Sequence, residues 1–134
     1  MTLYVIDASV AAKWFLPPSG EPLAEEALRL LAGYAEGRFR FAMPDLFWAE
    51  CANILWKAVR QGRWTRRAAE EAILALRGRS LPTTSSLDLL EEAFSIAATF
   101  DRTVDDSLYV ALAVRFKAQL VTADARLRRS QKWT

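Results

Sequence analysis

The chain reads as an α/β fold, a three-layer sandwich with a short, mostly parallel central sheet. Three observations predict it. Short apolar runs at 3–6 and 119–122 have the length of buried strands. Stretches with apolar residues at helical spacing lie between them. Strands that alternate with helices imply a parallel sheet, joined by crossovers long enough to be right-handed.

Each element follows from local chemistry. Leu3-Tyr4-Val5-Ile6 is a short strand closed by Asp7. Ser9 is placed to cap a short helix to about residue 16, which Pro17-Pro18 must end. Residues 21–36 set Leu23, Ala24, Ala27, Leu28, Leu30 and Leu31 at helical spacing, and Gly33 or Gly37 marks the frayed end. Residues 39–43 alternate like a strand. Pro44-Asp45 opens a long apolar helix to about residue 60, broken by Gly62. A charged helix is expected over 65–77, then a loop or short strand over 80–86. Ser86 is placed to cap a helix over 87–100, and Thr103 starts another to about residue 117. A strand at 119–122 leads to Asp124, which begins a short last helix.

At 134 residues the chain is read as one domain, 1–134, with room for a core. A hydrophobic fraction of 52% argues against disorder. No apolar run approaches the roughly 18 residues of a membrane span, and no basic segment precedes an apolar core as in a signal peptide. The expected compartment is the cytoplasm. The single Cys51 excludes a disulfide framework and a multi-cysteine zinc site. The chain has no histidine, which excludes Ser-His-Asp and Cys-His catalysis. The net charge of +2 is too small to argue nucleic-acid binding. The stretch with Lys57, Arg60, Arg63, Arg66, Arg67, Arg77 and Arg79 against Glu70 and Glu71, and a tail with Arg126, Arg128, Arg129 and Lys132, reads first as solvated helix surface and second as a phosphate-facing one.

Four acids carry the chemical signal. Asp7 and Asp124 each follow a strand, and in parallel α/β folds the functional crevice lies at the carboxyl ends of the strands. Glu50 sits on an otherwise apolar helix and shares a stripe with Asn53 and Lys57. Asp106 stands in the first turn of its helix, in a capping-box pattern that begins at Thr103, with Asp105 as its rival. Singly, Asp7, Asp106 and Asp124 are explained as helix caps. Together the four would repel, by roughly 4 kcal/mol for each pair about 4 Å apart at an effective dielectric near 20. Mg²⁺ or Mn²⁺ removes that conflict, prefers oxygen ligands and supports hydrolysis without histidine.

The residues Val5-Ile6-Asp7-Ala8-Ser9-Val10, Glu50-x-x-Asn53-x-Leu55, Asp106-Ser107-Leu108-Tyr109 and Leu120-Val121-Thr122-Ala123-Asp124 occur in this order and spacing. In them the chain resembles the PIN-domain ribonuclease family, and within it the VapC-type toxins, over nearly its whole length. The resemblance implies Mg²⁺- or Mn²⁺-dependent hydrolysis of RNA. It implies metal-binding, catalytic acids at Asp7, Glu50, Asp106 and Asp124, with Asp106 preferred over Asp105 by the Asp-x-x-Tyr phase. Ser9, Thr122 and Asn53 would orient those carboxylates. A homodimer and an inhibiting antitoxin are also implied, and the final fifth strand that relatives often add is expected here to be missing or very short. Tyr109 is expected to pack its helix. The five tryptophans are expected in core or half-buried positions, with Trp14 and Trp64 as the alternatives for a partner surface. Two other readings stand beside this one. A phosphoryl-transfer protein with Asp7 as nucleophile would want an acid at position 9, where Ser9 stands. A catalytically weak RNA- or protein-binding module would share the fold without turnover.

Overall fold

A pleated strand sends successive side chains to opposite faces. In the structure, a computed structural model that describes residues 1–123, β1 (Thr2–Ile6) sends Tyr4 and Ile6 into one core and Leu3 and Val5 into another. Both faces are apolar, so both need cover, as central parallel strands do. β2 (Phe39–Pro44) repeats the pattern: Phe41 and Met43 join Ile6, and Ala42 joins Val5. With β3 (Thr83–Thr84) and β4 (Gln119–Val121), the described residues form an all-parallel four-stranded sheet in the order β3-β2-β1-β4.

Helices cover both faces, which makes the three layers. On the Ile6 side lie α1 (Ala8–Ala11), α2 (Ala24–Ala35), α3 (Phe47–Arg60) and α4 (Arg66–Arg77), contributing Val10, Leu31, Phe47 and Leu76 to the core. On the Val5 side lie α5 (Ser86–Phe100) and α6 (Val104–Phe116). Every residue from Ser107 to Ala113 is buried, because α6 is held between the sheet and α5. A helix that is apolar all round must be covered all round.

The chain builds outward from β1 to β2 and β3, then returns to place β4 on the other side of β1. The strand order therefore reverses between β1 and β4, where open α/β sheets form their crevice. The register sets Ile6 opposite Val121, and the Asp7 N–H donates to the Val121 carbonyl at 3.0 Å. The first residues past β1 and β4 are thus held side by side.

Several expected boundaries move, each for a physical reason. Ser9 lies inside α1 rather than capping it, because Asp7 occupies the cap position and Ser9 bonds elsewhere. Asp45 does not open α3, which begins at Phe47. Its carboxylate instead accepts from the Ser86 N–H at 3.1 Å and from the Ser86 hydroxyl, tying down the start of α5. That helix is capped by Ser85, whose hydroxyl accepts from the Leu87 N–H. Gly33 is interior to α2, and a Cβ there would sit 2.2 Å from the Phe39 ring. Gly37, at φ 77°, makes the left-handed turn that follows the helix. Trp14 is core rather than partner surface. Its Nε1–H donates to the Ala27 carbonyl at 2.9 Å and its ring stacks on Phe41. Trp48 and Trp64 are half-buried, and Trp56 is exposed. The expected last helix from Asp124 and the question of a fifth strand lie outside the described residues.

Candidate active site

Asp7 is buried immediately after β1. Although it stands at the cap position of α1, its side chain makes no capping hydrogen bond to that helix. The Ser9 hydroxyl donates to Asp7 Oδ2 at 2.6 Å, and the Thr122 hydroxyl donates to the same oxygen at 2.8 Å. Ser9 in turn accepts from the Ala123 N–H at 3.0 Å. Two hydroxyls from two neighbouring strand ends therefore fix the orientation of one carboxylate. A plain cap would use the helix N–H groups instead. Both Ser9 and Thr122 are thus placed at Asp7.

Glu50 enters from α3 and is half-buried. The Tyr109 hydroxyl, from α6 on the far side of the sheet edge, donates to Glu50 Oε1 at 2.6 Å. The Glu50 carboxyl is pushed up to about 7, first by burial and then by the negative charges of Asp7, Asp105 and Asp106, while the Tyr109 bond pulls it down. These acids therefore act on one another across a shared space. Burial and the same bond hold the Tyr109 phenol firmly protonated, well above its ordinary value. Local reading assigned Tyr109 to packing alone. Its ring does fill the core, but its hydroxyl reaches across 59 positions of sequence to hold Glu50. The available signal was a polar atom on a helix buried all round, which must find a partner.

Asp106 is half-buried and Asp105 exposed in the first turn of α6. The Thr103 hydroxyl accepts from the Asp106 N–H at 3.1 Å, so the turn is capped by Thr103. Both acids raise the Glu50 carboxyl, Asp105 more than Asp106. Asn53 is exposed on α3, without a hydrogen bond to these acids among the described residues. Asp124, the fourth expected acid, lies outside the described residues. Among the described residues no three His, Cys, Asp or Glu side chains close up as a group that could hold a metal ion.

The donor chemistry narrows what such a site accepts. With no histidine, and with the buried Cys51 thiol pushed up by burial, the available ligands are carboxylate and hydroxyl oxygens. Oxygen-only sites suit hard cations such as Mg²⁺ and Mn²⁺, which keep several waters and need only one or two direct carboxylates. Acids at electrostatic range, rather than in contact, fit that habit. Burial lifts Glu50 most, and the further rise that comes from the neighbouring acids is what a cation would relieve.

A family model described as PIN domain matches residues 4–132. The chain belongs to the PIN-domain family. This PIN domain is 33% identical over 125 residues to Ribonuclease VapC3 of Pyrobaculum aerophilum, covering 92% of this chain and 90% of that protein. Its fold is similar to the crystal structure of PAE2754 from Pyrobaculum aerophilum, with a TM-score of 0.62, 25% identity, and coverage of 94% of this chain and 82% of the other. It is also similar to Mycobacterium tuberculosis VapC20, a sarcin-ricin loop cleaving toxin, with a TM-score of 0.71 and coverage of 95% and 94%. At 20% identity that second likeness speaks for the fold.

Proposed function

We propose that this PIN domain is a divalent-metal-dependent endoribonuclease, the toxin of a toxin–antitoxin pair. Asp7, Glu50, Asp106 and Asp124 would hold Mg²⁺ or Mn²⁺. The observation that carries the reading is the buried Asp7 at the switch point, oriented by two hydroxyls and sharing its electrostatic space with Glu50 and the α6 acids. The similarity to Ribonuclease VapC3 supports RNA as substrate and a cognate antitoxin as partner. When bound, the cation supplies a low-pKa water as nucleophile and neutralises charge at a phosphoryl oxygen.

The residues of the chain prepare that chemistry. Ser9 and Thr122 hold Asp7 in one rotamer, and Tyr109 holds Glu50 against the repulsion of its neighbours. In the metal-free protein the Glu50 carboxyl stands near 7, so a bound cation would have to displace its proton. The exposed Leu87, Leu90 and Phe94 make one apolar face on α5, which supports assembly as a homodimer. No helix among the described residues is long and apolar enough to cross a membrane, and we place the protein in the cytoplasm.

Incubating purified protein with RNA and Mn²⁺ tests the reading. Cleavage should appear, and both EDTA and Asp7→Asn should abolish it. Cleavage that survives both controls contradicts the mechanism. Absence of cleavage together with absence of Mn²⁺ binding favours a binding module on the same fold.

A further inference from the structure

Beside the Asp7–Ser9 bond lies a recess of opposite charge. A pocket of about 430 Å³ opens next to Ser9 and Ala123, the two residues that hydrogen-bond each other beside Asp7. Lys13, Lys57 and Arg63 line it against one acid, Glu21. Its volume lies in the range of sites that take small-molecule-sized groups, roughly 300–1,000 Å³. Lys13 is buried in the short 3₁₀ turn Ala12–Trp14, and its ammonium bonds Glu21 Oε2 at 3.0 Å. The other oxygen of Glu21 pairs with Arg63 at 3.2 Å. One carboxylate thus aligns two cations and neutralises one of them. Lys57, exposed one turn along α3 from Asn53 and two from Glu50, joins no ion pair among the described residues. The pocket keeps a surplus of positive charge, with Lys13 and Arg63 held by Glu21 and Lys57 beside them.

An ion-pair strut between the 3₁₀ turn and the loop after α3 would need Lys13, Glu21 and Arg63. It would not need Lys57, nor a recess that reaches Ser9 and Ala123 beside Asp7. We propose that this pocket binds a backbone phosphate of the RNA strand, next to the phosphodiester that lies at the acids. A single strand carries one negative charge per nucleotide, so a strand with one phosphate at the acids presents the next to an adjoining cationic recess. The inference rests on the ribonuclease reading for the identity of its ligand. It adds Lys57 and Arg63 as the groups that position the strand.

Binding of a single-stranded RNA oligonucleotide in EDTA, across a salt series, tests this apart from catalysis. Each phosphate contact on a single strand contributes about 0.7 to the slope of log affinity against log salt. That slope gives about a fivefold effect per contact at about 0.1 M salt. Lys57→Ala and Arg63→Ala should each lose about fivefold in affinity and about 0.7 in slope. Lys57→Arg should restore binding. The paired change Arg66→Ala/Arg67→Ala serves as control, because those exposed residues pair with Glu70 and Glu71 on α4. In Mn²⁺, the two pocket variants should raise KM with kcat unchanged. Wild-type slope and affinity in Lys57→Ala and Arg63→Ala overturn the proposal. So does an equal loss in the control, or wild-type protein that binds no RNA in EDTA. Loss of slope in a protein that never cleaves RNA upholds the pocket and removes the nuclease reading.

Discussion

Replacing Tyr109 by Phe removes one oxygen and leaves the buried ring in place. The lost group donates to Glu50 Oε1 at 2.6 Å. A hydrogen bond to a charged group is worth about 1.5–3 kcal/mol, or about one to two pKa units at about 1.4 kcal/mol per unit. Glu50 is only half-buried and water replaces part of the bond, so about one unit is expected. Its carboxyl already stands near 7, and the Tyr109 bond is the cause that lowers it. In Tyr109→Phe the ionised fraction at pH 7 therefore falls from about a half to about a tenth. Mn²⁺ affinity and kcat/KM should drop about fivefold at pH 7 and recover near pH 9, where both proteins are ionised. The assay is a pH profile of both quantities for the two proteins. A drop of the same size at every pH would refute the reasoning, because it would mean that the hydroxyl matters for packing rather than for the charge on Glu50.

Other outcomes follow from the same contacts. The metal-free fold binds a proton at Glu50 that the unfolded chain releases near its ordinary value of about 4.5. That contribution to stability is therefore fully present below about 4.5 and is lost as pH rises through about 7. Glu50→Gln should flatten this fall, by about 1–2 kcal/mol after allowance for solvent screening, as read by urea unfolding at pH 4.5 and 8. An unchanged slope would show that Glu50 is not the group responsible. Ser9→Ala removes one bond to Asp7 and one from the Ala123 N–H, and should weaken Mn²⁺ binding about 10- to 100-fold. Calorimetry that finds wild-type affinity would leave Ser9 without a part in orienting Asp7. Gly33→Ala should destabilise by about 1–2 kcal/mol, because overpacking against Phe39 outweighs the better helix propensity of alanine. A higher melting temperature would count against that close approach.

The sheet was legible because its code is local. Tyr4 and Ile6 alternate with Leu3 and Val5, and Asp7 closes the run, all within five residues. The burial of the middle of α6 has the same local source, the apolar run 108–113. The misplaced boundaries share a cause: a short polar side chain can serve its own backbone or a distant one. Ser9 reads as a cap, yet it bonds Ala123, 114 positions away. Asp45 reads as a helix opener, yet it holds Ser86, 41 positions away.

Asp7 and Asp106 were legible as candidates by type and position, and Ser9 and Thr122 only through the family resemblance. What joins them was not. The Tyr109 bond to Glu50 spans α3 and α6, and the Lys13–Glu21–Arg63 chain joins two loops that sequence alone leaves unrelated. The stripe that Glu50 shares with Asn53 and Lys57 is not uniform. It faces the acids at Glu50 but is exposed at Asn53 and Lys57. The basic stretch from Lys57 to Arg79 also divides: Arg66 and Arg67 are spent on helix-surface pairs, while Lys57 and Arg63 turn to the pocket.

Titration of Mn²⁺ into the purified protein, at pH 6 and pH 8 and in buffers of different ionisation enthalpy, goes most directly to the central claim. If these carboxylates hold the cation, binding must displace the proton that Glu50 carries near neutrality. Affinity should then rise with pH, protons should be released on binding at pH 6, and Asp7→Asn should remove the binding. Mn²⁺ affinity that is the same at both pH values, and the same in Asp7→Asn, would contradict it.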